Sequence, residues 1–135
     1  MTSPHEILNP KDLAPAVGFS HAVVAGPGRA IHIGGQTAHD AEGKVQGKTV
    51  VEQFEAAAAN LIRVLDEAGA KPEHLVSMQI FCTKGDEYRA SLKELGDVYK
   101  RHFGRHYPAI SFFSVNSLFD PAASIEVVAT AVIPE

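Results

Sequence analysis

The sequence has no tryptophan, one cysteine and only a small excess of acidic over basic residues. Because Cys82 is the sole cysteine among 135 residues, an internal disulfide is excluded, and this fits a reducing compartment. Twelve lysines and arginines stand against 16 aspartates and glutamates, which gives a formal net charge of -4. Since binding through phosphate contacts needs a basic surface, this charge argues against nucleic acid as a partner.

Long apolar stretches, repeats and low-complexity segments are also missing from the sequence. No apolar run approaches the roughly 20 residues of a membrane span, so no membrane association is expected. The first residues, Met1-Thr-Ser-Pro-His-Glu, lack the basic start and apolar stretch of a signal peptide. The chain is 45% hydrophobic and 21% charged, as globular proteins are. We therefore expect a single cytoplasmic domain over residues 1–135.

Two segments show the periodicity of amphipathic helices. The first runs from about Val50 to Ala68, with apolar residues recurring at alternating steps of three and four. Thr49 and Glu52 have the spacing of a capping box at its start, and Gly69 is placed to end it. A second helix is predicted from about Glu87 to Phe103. Its apolar face consists of Tyr88, Leu92, Leu95 and Tyr99.

Strand patterns surround these helices. The predicted strands are His21–Ala25, Ala30–Ile33, Val76–Thr83, Ile110–Val115 and Ile125–Ile133. The first two flank Gly26-Pro27-Gly28-Arg29, which is typical of a hairpin connection. The order of strands and helices predicts an α+β fold, in which a mixed sheet carries both helices on one face.

The last predicted strand indicates how the other face of the sheet is covered. Both of its alternating rows of side chains are largely apolar, so we expect burial on both sides. Two helices can cover only one side, and the chain has no further element for the second. The sequence therefore predicts a homo-oligomer in which another subunit covers that face.

Five segments together resemble a known family. They are Gly18-Phe-Ser-His-Ala-Val, Ile33-Gly-Gly-Gln, the helix over Thr49–Gly69, Pro108-Ala-Ile-Ser, and Ile125-Glu-Val-Val-Ala-Thr-Ala-Val. Their order and spacing, from about Leu13 to Ile133, are similar to those of the RidA/YjgF family of imine and enamine deaminases. Older members were described as L-PSP endoribonucleases. The resemblance implies a chorismate-mutase-like α+β fold and a homotrimer with ligand pockets between subunits. No cofactor is expected.

Several positions depart from the family pattern. Where deaminating members have Pro-Ala-Arg-Ser, Ile110 replaces the arginine that holds the substrate carboxylate. Val128 replaces the glutamate that is thought to activate water. Ser20, Gly34, Asp86 and Phe112 stand where the family pocket has a tyrosine, a serine, an asparagine and a cysteine. The resemblance thus implies the substrate-binding positions Ser20, Gly34, Gly35, Gln36, Asp86, Ile110, Ser111, Phe112 and Val128.

His21 and Glu126 are the two candidates for moving a proton. Glu126 lies two residues before Val128, on the same side of the strand and about 7 Å away. If the alignment is shifted by two residues, Glu126 is the family glutamate itself. Histidine can act as a general base near neutral pH, and His21 belongs to the segment that replaces the pocket tyrosine. The alternatives are a carboxylate in solvent or in an inter-subunit ion pair, and a histidine that is hydrogen-bonded within the sheet or an interface.

Neither a metal site nor an RNA site is expected. His21 and His32, on the predicted hairpin, have no partner at metal-ligand spacing. The basic residues of Lys100–His106 end or follow the second helix, where cations are expected in any case because they complement the helix dipole.

Gly34 and Gly35 allow close approach by either a ligand or a neighbouring subunit.

Two functional interpretations remain open. In the first, the protein carries out hydrolytic deaminase-type chemistry on an imine, an enamine or a related intermediate in an inter-subunit cleft. Its changed site should then not favour simple 2-imino acids. In the second, it is a non-catalytic trimer that binds a small molecule or has a regulatory role.

Overall fold

The computed structural model describes residues 2–135 as a four-stranded mixed sheet with helices on one face and a separate two-stranded ribbon. The strands are β1 (Glu6–Leu8), β2 (Ala22–Val24), β3 (Gly28–Gln36), β4 (Leu75–Cys82), β5 (Ala109–Ser114) and β6 (Ile125–Pro134). The helices are α1 (Val50–Glu67), α2 (Gly85–Ala90) and α3 (Leu92–Phe103), with a short 3-10 turn at Pro72–His74.

The strand order in the main sheet is β3-β6-β4-β5, with β4 and β5 parallel and the other pairs antiparallel. The predicted α+β fold is therefore confirmed. One row of β6, formed by Ile125, Val127, Ala129 and Ala131, is fully buried beneath the helices. Cys82 at the end of β4 is buried in the same core, as a small apolar side chain would be.

Helix α1 begins where the sequence predicts. The Glu52 amide donates to Thr49 Oγ1 at 3.1 Å, and the Thr49 amide donates to Glu52 Oε1 at 3.0 Å, which completes the capping box. Glu87 of α2 accepts from the Val50 amide at 2.7 Å and so satisfies another free donor of the first turn. Gly69 follows the helix with a φ of 75°, the left-handed conformation expected of a helix-ending glycine.

The second predicted helix is broken in two, and this corrects the prediction of one continuous helix. Ser91 separates α2 from α3 with a non-helical backbone, φ -116° and ψ 21°. Both parts contact α1, and α2 also places Tyr88 against Phe112 of β5. Leu92, predicted to lie on the apolar face, is 59% exposed.

The predicted hairpin between β2 and β3 is also wrong. Strand β2 pairs with β1, with Ala22 opposite Leu8, whereas β3 pairs with β6. Gly28, assigned to the turn, already pairs with Pro134, and its missing side chain leaves room for the backbone of β6. Strand β3 is an edge strand whose other edge β2 does not use, because β2 pairs with the N-terminal segment instead.

The face of the sheet opposite the helices remains partly open. Glu126, Val128 and Thr130 on β6 are half-buried there. On the same face Phe113 is 45% exposed and stacks on Phe81, with 5.2 Å between ring centroids. The homotrimer that would cover this face stays a prediction.

No helix within residues 2–135 is both long enough and apolar enough to cross a membrane.

Candidate functional site

A cleft of about 570 Å³ opens between the edge strand β5, the helices α2 and α3, and the segment Val17–Phe19. Its floor includes Ile110 and Phe112 of β5, which pair with the buried Met78 and Ile80 of β4. Ile110, which the resemblance aligns with the family arginine, therefore faces this cleft with an aliphatic side chain. Such a floor favours apolar groups of a ligand.

Aromatic rings form much of the cleft wall. Tyr88 packs on Phe112 with ring centroids 4.2 Å apart. Tyr107 stacks on Tyr99 at 5.1 Å and an angle of 9° between the rings. Phe19 joins these rings from the segment that precedes β2. Flat ligands find large contact areas against such walls.

The polar groups of the cleft are few. Within residues 2–135 its lining includes no acidic residue and no histidine, and Lys100 is its sole cation. The Tyr99 hydroxyl donates to the His106 carbonyl at 2.6 Å, whereas the hydroxyls of Tyr88 and Tyr107 make no hydrogen bond to the described chain. Burial raises the pKa of Tyr88 to about 12, so that its hydroxyl keeps its proton at neutral pH.

Ser20 ties the segment before β2 to the beginning of β5. Its amide donates to the Pro108 carbonyl at 3.0 Å, and its hydroxyl donates to the Tyr107 carbonyl at 2.5 Å. Because Ser20 is buried and its hydroxyl already donates, it acts as a link between the wall and the floor of the cleft.

His21 lies just outside the cleft. Its Nε2 is hydrogen-bonded to the Ala14 carbonyl at 2.7 Å, and its amide donates to Asn9 Oδ1 at 2.8 Å. The Phe19 ring and the imidazole pack edge to face, with 5.2 Å between centroids. These contacts hold the segment between Asn9 and His21 together and leave the second imidazole nitrogen without a partner in the described chain.

Glu126 lies on the opposite face of the sheet from the cleft. It pairs with Phe81 across β4, and its carboxyl group occupies the space above Gly35 that a side chain there would fill. Gly34 and Gly35 form an irregularity in β3, and Gln36 donates from its side chain to the Gly34 carbonyl at 3.1 Å. The Glu126 carboxylate accepts no hydrogen bond from the described residues, so it remains available to an outside donor.

The predicted site residues therefore fall into separate groups. Ile110 and Phe112 face the cleft, whereas Ser111 and Val128 both pair with Gln79 on the open face of the sheet, the face of Glu126. Asp86 is fully exposed in the first turn of α2, where Arg89 donates to it at 3.1 Å. A single chain thus presents its predicted site residues on two faces of the sheet.

His21 and Glu126 lie at opposite ends of the sheet. Ser20 bridges to Ala109 at the beginning of β5, while Glu126 is level with Phe113 near the end of that strand. Four residues of strand separate these positions, or about 13 Å along the strand alone. The two proton-transfer candidates are therefore not partners within one chain.

Most of the basic cluster near α3 is engaged in structural contacts. Arg101 and His102 both pair with Glu55 of α1. Burial opposes ionisation of Glu55, but its hydrogen bonds with His102 and Arg101 outweigh burial and hold its pKa below the usual value. His106 is buried, with its Nε2 2.8 Å from the Leu75 carbonyl. In the part of the chain that the structure describes, no group of three or more metal-ligating side chains is placed to hold a metal ion.

The sequence indicates no site role for three cleft residues: Phe19, Tyr88 and Tyr107. Its periodicity places Tyr88 on an apolar helix face. The position of Tyr88 soon after the predicted strand Val76–Thr83 is the signal that could indicate a role at the sheet edge.

The chain is similar to known proteins over nearly its whole length. Residues 9–133 match the sequence model of a family described as endoribonuclease L-PSP. No curated protein sequence matches the chain closely enough to count as a relative.

Solved structures share both the fold and part of the sequence. A Yersinia pestis protein of unknown function from the conserved Rid family, YyfB, is 34% identical with a TM-score of 0.85, covering 96% of this chain and 98% of that one. A candidate endoribonuclease from Thermotoga maritima is 31% identical with a TM-score of 0.69, covering 94% and 93%. A member of the YjgF/YER057c/UK114 family from Mycobacterium tuberculosis is 28% identical with a TM-score of 0.64, covering 87% and 88%.

Proposed function

The chain belongs to the endoribonuclease L-PSP family, also called the YjgF/RidA family, and from this premise we propose that it hydrolyses a small uncharged imine or enamine. The observation that carries the proposal is the apolar cleft whose floor includes Ile110 and Phe112. A substrate carboxylate needs a bidentate, charge-assisted partner, and Ile110 offers none. The preferred substrate is therefore less acidic and more apolar than a 2-imino acid.

Glu126 is the proposed general base. Its carboxylate is half-buried, accepts no hydrogen bond from the described residues, and is held above Gly35. Because it lies on the face opposite its own cleft, it would act on the cleft of a neighbouring copy in the proposed homotrimer. His21 is the alternative base, since it lies beside Phe19 at the edge of its own cleft.

The proposed reaction needs only water. The oxygen of a water molecule bonds to the carbon of the C=N group while the base takes one proton from that water. The base then returns the proton to nitrogen, the hydroxyl proton of the adduct also passes to nitrogen, the C–N bond breaks and a carbonyl group forms. An imine and water thus give a ketone or aldehyde and ammonia, and the base returns to its starting state.

A non-catalytic binding protein is the second candidate function. The observation that favours it is that the cleft of a single chain, as far as the structure describes it, has no carboxylate or imidazole in its lining. A trimer that binds a small molecule in this cleft without catalysing a reaction would have the same apolar lining. RNA cleavage is not proposed, because Arg101 and His102 are both paired with Glu55.

A coupled assay tests the proposal. An amine oxidase generates an uncharged imine from benzylamine, an amino acid oxidase generates 2-iminobutanoate, and spontaneous hydrolysis is subtracted from both rates. We expect the protein to accelerate hydrolysis of the benzylamine-derived imine and to accelerate hydrolysis of 2-iminobutanoate little or not at all. The acceleration should be lost with Glu126→Gln or with His21→Ala. The variant that abolishes turnover identifies the base. If neither imine is hydrolysed faster while an uncharged ligand binds, the binding function is correct.

A further inference from the structure

We infer that the cleft recognises a flat, uncharged ligand bearing a hydrogen-bond acceptor, which the Tyr88 hydroxyl binds while the Phe112 ring contacts the flat body. This inference names the ligand class of the cleft on which the proposed function rests. It depends on the lining of the cleft and not on whether the ligand reacts.

The first support is the arrangement of the two rings. Tyr88 and Phe112 both line the cleft, and their centroids are 4.2 Å apart with 31° between the ring planes. Phe112 lies on β5 and Tyr88 on α2, so strand and helix together fix the angle between the two rings. A planar ligand gains contact area against such a surface at little cost in conformational entropy.

The second support is the free donor. The Tyr88 hydroxyl makes no hydrogen bond to the described residues, yet it is not among the fully buried polar atoms that lack a partner. The hydroxyl therefore keeps some exposure and is unsatisfied by the chain, and it belongs to a side chain that lines the cleft. Because burial keeps its pKa at about 12, it is a hydrogen-bond donor throughout the physiological pH range.

The third support is the distribution of charge. Lys100 is the sole cation in the lining, and it is an exposed residue in the last turn of α3, next to Arg101 and His102. A cation at that position complements the helix dipole and remains in water. A carboxylate deep in the cleft would lose its hydration without gaining a charged partner, whereas a carbonyl or imine acceptor needs only one donor.

Three unreactive probes of similar shape test this inference: acetophenone, ethylbenzene and benzoate. Their dissociation constants are measured by NMR titration with the wild-type protein, Tyr88→Phe and Tyr107→Phe. We expect acetophenone to bind more tightly than benzoate. Tyr88→Phe should weaken acetophenone roughly 3- to 10-fold, as loss of one hydrogen bond does, and leave ethylbenzene within about twofold. Tyr107→Phe is the comparison variant: it removes the other free hydroxyl of a lining tyrosine, on a ring that stacks on Tyr99 and not on Phe112.

Several outcomes would overturn the inference. They are benzoate binding best, binding that depends on the Tyr107 hydroxyl, equal weakening of all probes by Tyr88→Phe, and no binding of acetophenone at millimolar concentration. Phe112→Leu gives a second check, since it should weaken acetophenone and ethylbenzene alike by removing the ring. Because the probes cannot be hydrolysed, failure of the imine assay leaves this result unaffected, and the two proposals fail independently.

Discussion

The carboxyl group of Glu126 lies directly over the backbone of Gly35, on the face of the sheet away from the helices. A Cβ atom at residue 35 would come within 2.6 Å of Glu126 Cδ, far inside van der Waals contact. Gly35 therefore leaves the space that the Glu126 carboxyl group occupies, and its backbone angle is not unusual. Gly34, one residue earlier, faces open space.

This relationship predicts different effects on activity for two neighbouring substitutions. Gly35→Ala should displace the Glu126 side chain, and because the displaced atoms belong to the end of a flexible, half-buried side chain, the stability cost should stay below about 1 kcal/mol. Gly34→Ala should change stability little, since nothing lies within 4 Å of its added methyl group. Urea unfolding measures both. In the imine assay, Gly35→Ala should reduce the rate as Glu126→Gln does, and equal activity of the two alanine variants would contradict the role of Glu126.

The floor of the cleft predicts a gain of carboxylate binding on substitution. Ile110→Arg places a guanidinium where the ligand lies, so the affinity for 2-oxobutanoate, a stable analogue of a 2-imino acid, should rise at least about tenfold. Calorimetric titration measures the change, with Ile110→Met as a control of similar length and no charge. Unchanged affinity in the arginine variant would show that residue 110 does not face the bound ligand.

The open face of the sheet predicts association of the chain with itself. Both rows of β6 are largely apolar, and the half-buried row is left uncovered by the helices. Light scattering at micromolar concentration should therefore give the mass of three chains. A monomer mass would contradict the proposed mechanism, because Glu126 would then have no neighbouring cleft on which to act.

Stability should fall as the protein is acidified below about pH 6.5. Burial is the main cause that lowers the pKa of His74, with Glu73 opposing it, and His74 Nδ1 accepts from the Lys71 amide at 3.0 Å. The unfolded chain then binds the proton more readily than the folded one, so stability present above the ordinary histidine pKa is lost below it. Urea midpoints at pH 7.5 and 5.5 measure this loss. His74→Asn keeps a hydrogen-bond acceptor that does not titrate, so the urea midpoint of this variant should fall less between the two pH values. An equal fall in the variant and the wild type would assign the effect to other groups.

The sequence predicted the elements whose signals are local. Thr49 and Glu52 mark the beginning of α1, and the alternation in β6 indicates a strand buried beneath the helices. The break at Ser91 was missed because the apolar positions Tyr88, Leu92 and Leu95 continue the helical period across it. The partner of β2 was missed because β1 is only three residues long, too short for a recognisable strand pattern.

The candidate site was predicted less completely than the fold. The resemblance places Ile110 and Phe112 at positions of the family site, but the sequence does not show that they face the opposite side of the sheet from Glu126. Tyr88 escaped attention because a tyrosine on an apolar stripe looks like a core residue. Its free hydroxyl becomes visible only when the hydrogen bonds of the whole described chain are accounted for.

The two hydrogen bonds of Ser20 have a dynamic consequence. They join the Val17–Phe19 wall of the cleft to the beginning of β5, so that local opening at Ser20 must also open the cleft. A ligand that binds only the closed form raises the free energy of that opening by mass action. Hydrogen exchange of the Ser20 amide therefore slows in proportion to cleft occupancy, and this single backbone proton reports ligand binding without any turnover.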